Sequence, residues 1–183
     1  MNKFIIFFSI AMGLIGCSKI DKNESSTNSI NSEKRTENGW EVIINKDEMR
    51  QQEKKWLAVR SENNADLQFP YDGENHLQLD ILDSKTNEPR IFFTIDKGQY
   101  DCGRYGCDAY IKFGANPVQH IDLSIYDVQG TDGKILAFHG NTAAFVTNIR
   151  KFNSIIIEIP FYRNGTRQFK FNTAGFTEAE SKL

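Results

Sequence analysis

QYDCGRYGCDAYIKF, from Gln99 to Phe113, is the stretch that decides the fold. It holds Cys102 and Cys107, with Gly103 and Gly106 between them and strand-forming residues on both sides. The pattern predicts a β-hairpin whose tip is clasped by a disulfide. The glycines tolerate a tight backbone turn, and Tyr110 and Lys112 alternate with Ile111 and Phe113 on the return arm, as in a half-buried strand. Closing so short a loop contributes roughly 2 kcal/mol on the chain-entropy account and also holds the strand register.

The segments around it repeat the same period of two. Downstream, Val118–Tyr126 places Ile121, Leu123 and Ile125 on one face. SIIIEIP, Ser154–Pro160, is the most strand-like run of the chain, and Asn164-Gly165 marks a hairpin that returns with Phe169 and Phe171 on one face. Upstream, His76–Leu82 alternates Leu77, Leu79 and Ile81 against His76, Gln78, Asp80 and Leu82, and Ile91–Ile95 reads as a central strand. Trp40, Val42 and Ile44 begin the folded part, while the polar run Asp47–Lys55 fits either a helical turn or an exposed strand. One helix interrupts the series near 141–152. Asn141 suits its N-cap, Phe145, Ile149 and Phe152 recur at i, i+4, i+7, and Arg150 and Lys151 end it where the macrodipole favours cations. About nine or ten short strands with one short helix predict a mainly β domain over 39–176, an antiparallel β-sandwich or open barrel. The tail 177–183 is expected to fray.

The N-terminus states where the domain works. Met1–Gly16 has one cation, Lys3, followed by an apolar run too short to span a bilayer, as in a signal peptide. It ends in Leu14-Ile15-Gly16-Cys17, which resembles the bacterial lipobox. That resemblance implies cleavage before Cys17 and acylation of its thiol and amine, with palmitate-type chains, in the cell envelope. Two or more chains give stable anchoring, and Ser18 in place of Asp favours the outer membrane, facing the periplasm. Residues 17–38 are rich in Ser, Asn, Lys and Glu and predict a flexible tether, with an r.m.s. reach of roughly 25 Å. An oxidising compartment makes pairing the default for Cys102 and Cys107. Free thiols and a metal site are the alternatives, but zinc normally takes four ligands and His76, His120 and His139 are scattered.

Composition narrows the function. Removing Lys3 from 22 cations against 24 acids leaves a net charge of about −3 with no basic patch, which argues against nucleic acid. There is no G-x-S-x-G elbow, no H-E-x-x-H and no phosphate-binding glycine loop. The Gln129–Gly133 loop lacks the distal Glu of a calcium-binding hand. No catalytic residue, metal or cofactor is expected. A hydrolase built on the histidines and on acids such as Asp80 and Asp83 is the residual enzyme reading.

The order of the C-terminal half, DCGRYGCDAYIKF, VQHIDLSIY, FVTNIRKF, then SIIIEIPFYRNGTRQFKFNTAGF, is similar to an uncharacterised β-rich domain of proteobacterial periplasmic proteins and lipoproteins. It also distantly resembles the invasion-associated locus B family, with its Cys…Gly-Cys hairpin and terminal Gly-Phe. The resemblance implies a β-sandwich, supports the Cys102–Cys107 bond and carries over no catalytic residue. The expectation is a membrane-anchored envelope lipoprotein with a non-catalytic binding or structural domain. Its candidate protein contacts are Tyr100, Arg104, Tyr105, Tyr162, Arg163 and Arg167, since aromatics and Arg dominate interface energetics. The alternative is an inhibitor or immunity-type lipoprotein acting on an envelope enzyme or toxin.

Overall fold

The computed structural model describes residues 30–32 and 39–183; the signal segment, Cys17 and most of the expected tether lie outside the described residues. The chain runs β1 (Ile30–Ser32), β2 (Glu41–Asp47), β3 (Gln52–Arg60), β4 (Leu77–Leu82), β5 (Arg90–Ile95), β6 (Cys107–Phe113), β7 (Gln119–Ile125), β8 (Ile135–Phe138), α1 (Thr142–Lys151), β9 (Ser154–Phe161), β10 (Gly165–Asn172) and α2 (Phe176–Glu180). The expected mainly β fold forms as one antiparallel sheet in the order β1-β2-β3-β4-β5-β8-β7-β6-β9-β10, not closed into a barrel.

The period-two pattern builds its apolar side. Leu57 pairs with Ile81 and Ile81 with Ile91, while Leu79 pairs with Phe93 and Phe93 with Leu136. In the other half Ile111 pairs with Ile157, and Ile157 with Phe169. Directly opposed residues in a ladder share a face, so these rows merge into one buried cluster. Helix α1 covers part of it. The Asn141 side chain caps the helix by accepting from the Ala144 N–H (2.9 Å), and Phe145 places its ring 5.3 Å from Phe113 and 5.2 Å from Phe138.

The sheet curls until its two halves share that core. The connection from β3 to β4, residues 61–76, reaches the outer edge of β10. The Glu62 N–H donates to the Lys170 carbonyl (2.7 Å). The Asn63 side chain donates to the Gln168 carbonyl (2.8 Å) and accepts from the Lys170 N–H (2.7 Å). One side-chain amide thus copies a strand residue and covers an edge that would otherwise offer unpaired backbone.

Three expectations change, and one open reading is decided. First, Gln99–Phe113 is not a hairpin. Tyr100 bridges Phe161, the Asp101 N–H donates to the Pro160 carbonyl, and further along β9 Tyr110 pairs with Glu158 and Phe113 with Ile155. Both arms therefore run the same way beside β9, and the clasped loop protrudes between them. The long apolar row of β9 outcompetes a three-residue arm as a pairing partner. Second, the tail does not fray. α2 docks through Phe176, whose ring meets Trp40 at 5.0 Å, and through buried Ala179. This makes two helices among the described residues rather than one. Third, Ile30–Ser32, inside the expected tether, pairs with Ile43–Asn45 of β2. A polar segment can do this because backbone groups alone satisfy the ladder. Of the two readings of Asp47–Lys55, the exposed strand holds: the segment is the end of β2, a turn with Gln51 at φ 52°, and the start of β3.

Candidate functional site

Register brings most of the predicted contact residues to one end of the sheet. β6 starts there at Cys107 and β9 finishes there at Phe161. Cys102 and Cys107 are disulfide-bonded with their Cα atoms 4.2 Å apart, and the enclosed turn is closed by a Gly106 N–H to Gly103 carbonyl bond (3.2 Å). Gly106 sits at φ 121°, and a Cβ there would lie 2.6 Å from the Leu123 carbonyl oxygen, so only glycine fits. Arg104 and Tyr105 project from this turn into solvent, Tyr105 with 99% of its surface exposed.

The β9–β10 turn lies alongside, tied by the Tyr162 N–H donating to the Gln99 carbonyl (2.9 Å). Tyr162 and Arg163 are exposed, with the Arg163 guanidinium 5.2 Å over the Tyr162 ring. Asn164 holds a third loop in place: its Oδ1 accepts from the Gln68 N–H (2.7 Å) and its Nδ2 donates to the Tyr162 carbonyl (3.1 Å). That loop presents Phe69, 87% exposed. Gly98 packs beneath, where a Cβ would meet Leu67 Cδ1 at 3.0 Å and Phe161 at 3.2 Å.

Two predicted contacts stand elsewhere. Tyr100 is only 4% exposed; its ring is tilted against Phe161 at 5.1 Å and its hydroxyl donates to the Lys134 carbonyl (3.2 Å). Burial pushes its phenol well above the ordinary tyrosine range, so it is a core residue. Its place opposite Phe161 in the β9 register draws it inward. Arg167 is half-buried and committed to positioning, its Nε donating to the Asp66 carbonyl (3.3 Å) at the base of the Phe69 loop. Phe69 was missed because Pro70-Tyr71-Asp72-Gly73 reads simply as a turn. Its signal was a large aromatic directly before Pro70 in a segment with no strand period.

The histidines do not converge. His76 Nδ1 lies 2.9 Å from the Ser61 carbonyl, His120 Nε2 is 3.2 Å from Asp108, and His139 Nε2 is 2.6 Å from Ser124 Oγ. Among the described residues no group of three or more His, Cys, Asp or Glu could hold a metal ion, and no helix is long and apolar enough to cross a membrane.

A second feature occupies the outer side of the sheet. Asp80 is opposed by Ala58 on β3 and Phe92 on β5, and only 8% of its surface is exposed. Its Oδ1 accepts from Trp56 Nε1 (3.0 Å) and Gln78 Nε2 (2.9 Å). Burial nevertheless pushes its carboxyl above the ordinary Asp range, against the pull of those bonds and of the Thr94 hydroxyl. Asp80, Trp56, Phe92, Tyr126 and Ile135 line an open groove of about 230 Å³. The alternation of HLQLDIL puts Asp80 on this face, but the aromatics gathered around it come from strand register.

No family model, curated protein or solved structure matches this chain.

Proposed function

We propose that the chain is a lipid-anchored protein of the bacterial envelope, acylated at Cys17, whose folded domain is a non-catalytic module that holds a protein partner at the clasped end. The observation that carries this reading is the convergence of Tyr105, Phe69 and Tyr162, with Arg104 and Arg163, on three loops fixed by the disulfide, Asn164 and Arg167. Exposed aromatics beside arginines on pre-organised loops are what a protein contact needs: large area, a charge-capable rim and little ordering entropy left to lose. The N-terminal Leu14-Ile15-Gly16-Cys17 supports the anchor, and the clasped cysteines suit an oxidising compartment.

A photo-crosslinking residue in place of Tyr105, activated in intact cells, should give one dominant adduct identifiable by mass spectrometry. Arg163→Ala should reduce that adduct. A dominant adduct unchanged by Arg163→Ala, or no adduct at all, would sink the contact. Fatty-acid labelling tests the anchor separately: Cys17→Ala should abolish label and release the protein from membranes. The inhibitor reading uses the same protruding loop, so an adduct that is an enzyme or toxin would select it.

A further inference from the structure

The groove on the outer side of the sheet poses a charge problem that none of the described residues solves. Asp80 is more than nine-tenths buried, and a buried carboxylate is costly unless a cation compensates it. Its hydrogen-bond donors, the Trp56 indole and the Gln78 amide, are neutral, as is the Thr94 hydroxyl beside it. Among the described residues, two arginines on the neighbouring strands are spent elsewhere. Arg60 is ion-paired to Asp96 through both terminal nitrogens, and Arg90 donates to Asp83 Oδ2 from Nε (3.0 Å) and Nη2 (2.8 Å). Apart from Asp80, Gln78 and Thr94, the groove walls are aromatic or aliphatic. Trp56 and Phe92 flank the acid, and the Tyr126 ring lies 5.1 Å from that of Phe92.

We propose that this groove binds a small organic ammonium ion, its apolar part against Trp56, Phe92 and Tyr126 and its charge against Asp80. Each component of the site favours that class. The carboxylate gains a counter-ion that no described residue is seen to supply, and aromatic faces attract cations most strongly where water is thinned. An anion would meet Asp80 as a like charge, and a neutral ligand would gain only apolar area. The volume, about 230 Å³, admits a single ring or a short chain with its ammonium group and falls below the roughly 300–1,000 Å³ of sites for drug-sized ligands. The groove is distinct from the clasped end, and its occupancy does not depend on the protein-contact reading.

The test uses the full chain with isotope-labelled tryptophan, titrated with 2-phenylethylammonium and, separately, with the uncharged near-isostere 2-phenylethanol. The Trp56 indole N–H, bonded to Asp80, is the reporter, and Trp40, buried against Phe176, is the internal control. The ammonium ion should shift Trp56 saturably and leave Trp40 unmoved. The alcohol should bind about tenfold more weakly or worse, and Asp80→Asn should weaken the ammonium complex about tenfold while keeping the Trp40 signal. Tyr126→Ala, at an exposed position, should weaken binding severalfold and keeps the test open if Asp80→Asn does not fold. Equal binding of amine and alcohol, undiminished binding by Asp80→Asn, or no saturable shift at Trp56 overturns the proposal.

Discussion

The two ends of the sheet use the same residue types in opposite ways. At the helical end Arg150 donates to both carboxylate oxygens of Glu180 (2.8 and 3.1 Å) and to the Ser84 carbonyl (3.1 Å), and its guanidinium lies 5.9 Å from the centre of the Phe176 ring, itself buried against Trp40. At the clasped end Arg163 stands over Tyr162 in solvent, and Arg104 and Tyr105 extend into water. Arginine and aromatic groups stabilise the fold at one end and are left available at the other. What fixes the helical end is apolar burial plus ion pairing; what fixes the clasped end is a covalent link and loop-to-loop hydrogen bonds that leave its side chains outside. Substitutions should therefore read out as stability at the first end and as contact at the second.

The largest effect is expected at Phe176. Removing a fully buried ring leaves a cavity, so Phe176→Ala should cost about 3–5 kcal/mol in urea unfolding. A cost under about 1 kcal/mol would mean that α2 only rests on the domain, and the contrast between the ends would fail.

Glu180 comes next. Burial opposes its charge, but the two hydrogen bonds and the charge of the Arg150 guanidinium outweigh it and hold the carboxyl below the ordinary Glu range. Glu180→Ala should cost about 2 kcal/mol, less than a fully buried pair would, because Arg150 keeps an exposed side. The sign follows from linkage: with the folded pKa depressed, the pair's stabilisation is present above the unfolded value and is lost as pH falls through the folded one. Glu180→Gln should flatten the acid limb of the stability profile. Asp80, bonded only to neutral donors among the described residues, behaves oppositely: its buried, raised carboxyl makes stability fall as pH rises from the ordinary Asp range through the folded value, and Asp80→Asn should remove that slope. Matching acid limbs in wild type and Glu180→Gln would show the ion pair to be inert.

The disulfide is the clasped end's counterpart to that ion pair. Replacing Cys102 and Cys107 by Ser should cost roughly 2 kcal/mol, from restored freedom in a short loop. Because β6 is also paired to β7 and β9, the sheet should survive, and crosslinking from position 105 should drop more than the melting temperature does. A global collapse would make the clasp a fold determinant instead.

How much of this was legible is a matter of range. Period-two patterns named the buried face of Leu77, Leu79 and Ile81, and of Phe169 and Phe171, because alternation is local. The Asn141 cap was legible for the same reason. The fate of Tyr100 was not, since its burial depends on which strand Gln99–Asp101 joins. Nor was Asn63, whose amide completes the β10 edge from a loop more than a hundred residues away in sequence. α2 escaped because five residues have too little helix propensity to announce themselves; Trp40 and Arg150 supply what the segment lacks. At the candidate site, residue type was readable and convergence was not: Phe69, Tyr105 and Tyr162 lie far apart along the chain and meet only through Asn164 and the Tyr162–Gln99 bond.

The smallest stability effect is the sharpest probe of the contrast. Tyr105 is almost wholly exposed on a turn whose shape is set by Gly103, Gly106 and the disulfide rather than by its own ring. Tyr105→Ala should therefore change unfolding free energy by no more than about 0.5 kcal/mol, as should Arg104→Ala. If these residues serve a partner, the double variant should lose capture from crosslinked membranes while its urea midpoint stays with the wild type. A midpoint that falls with capture would place Tyr105 among the stabilising aromatics, like Phe176, and erase the distinction between the two ends. An unchanged midpoint with unchanged capture would keep the architecture and remove the contact from this loop.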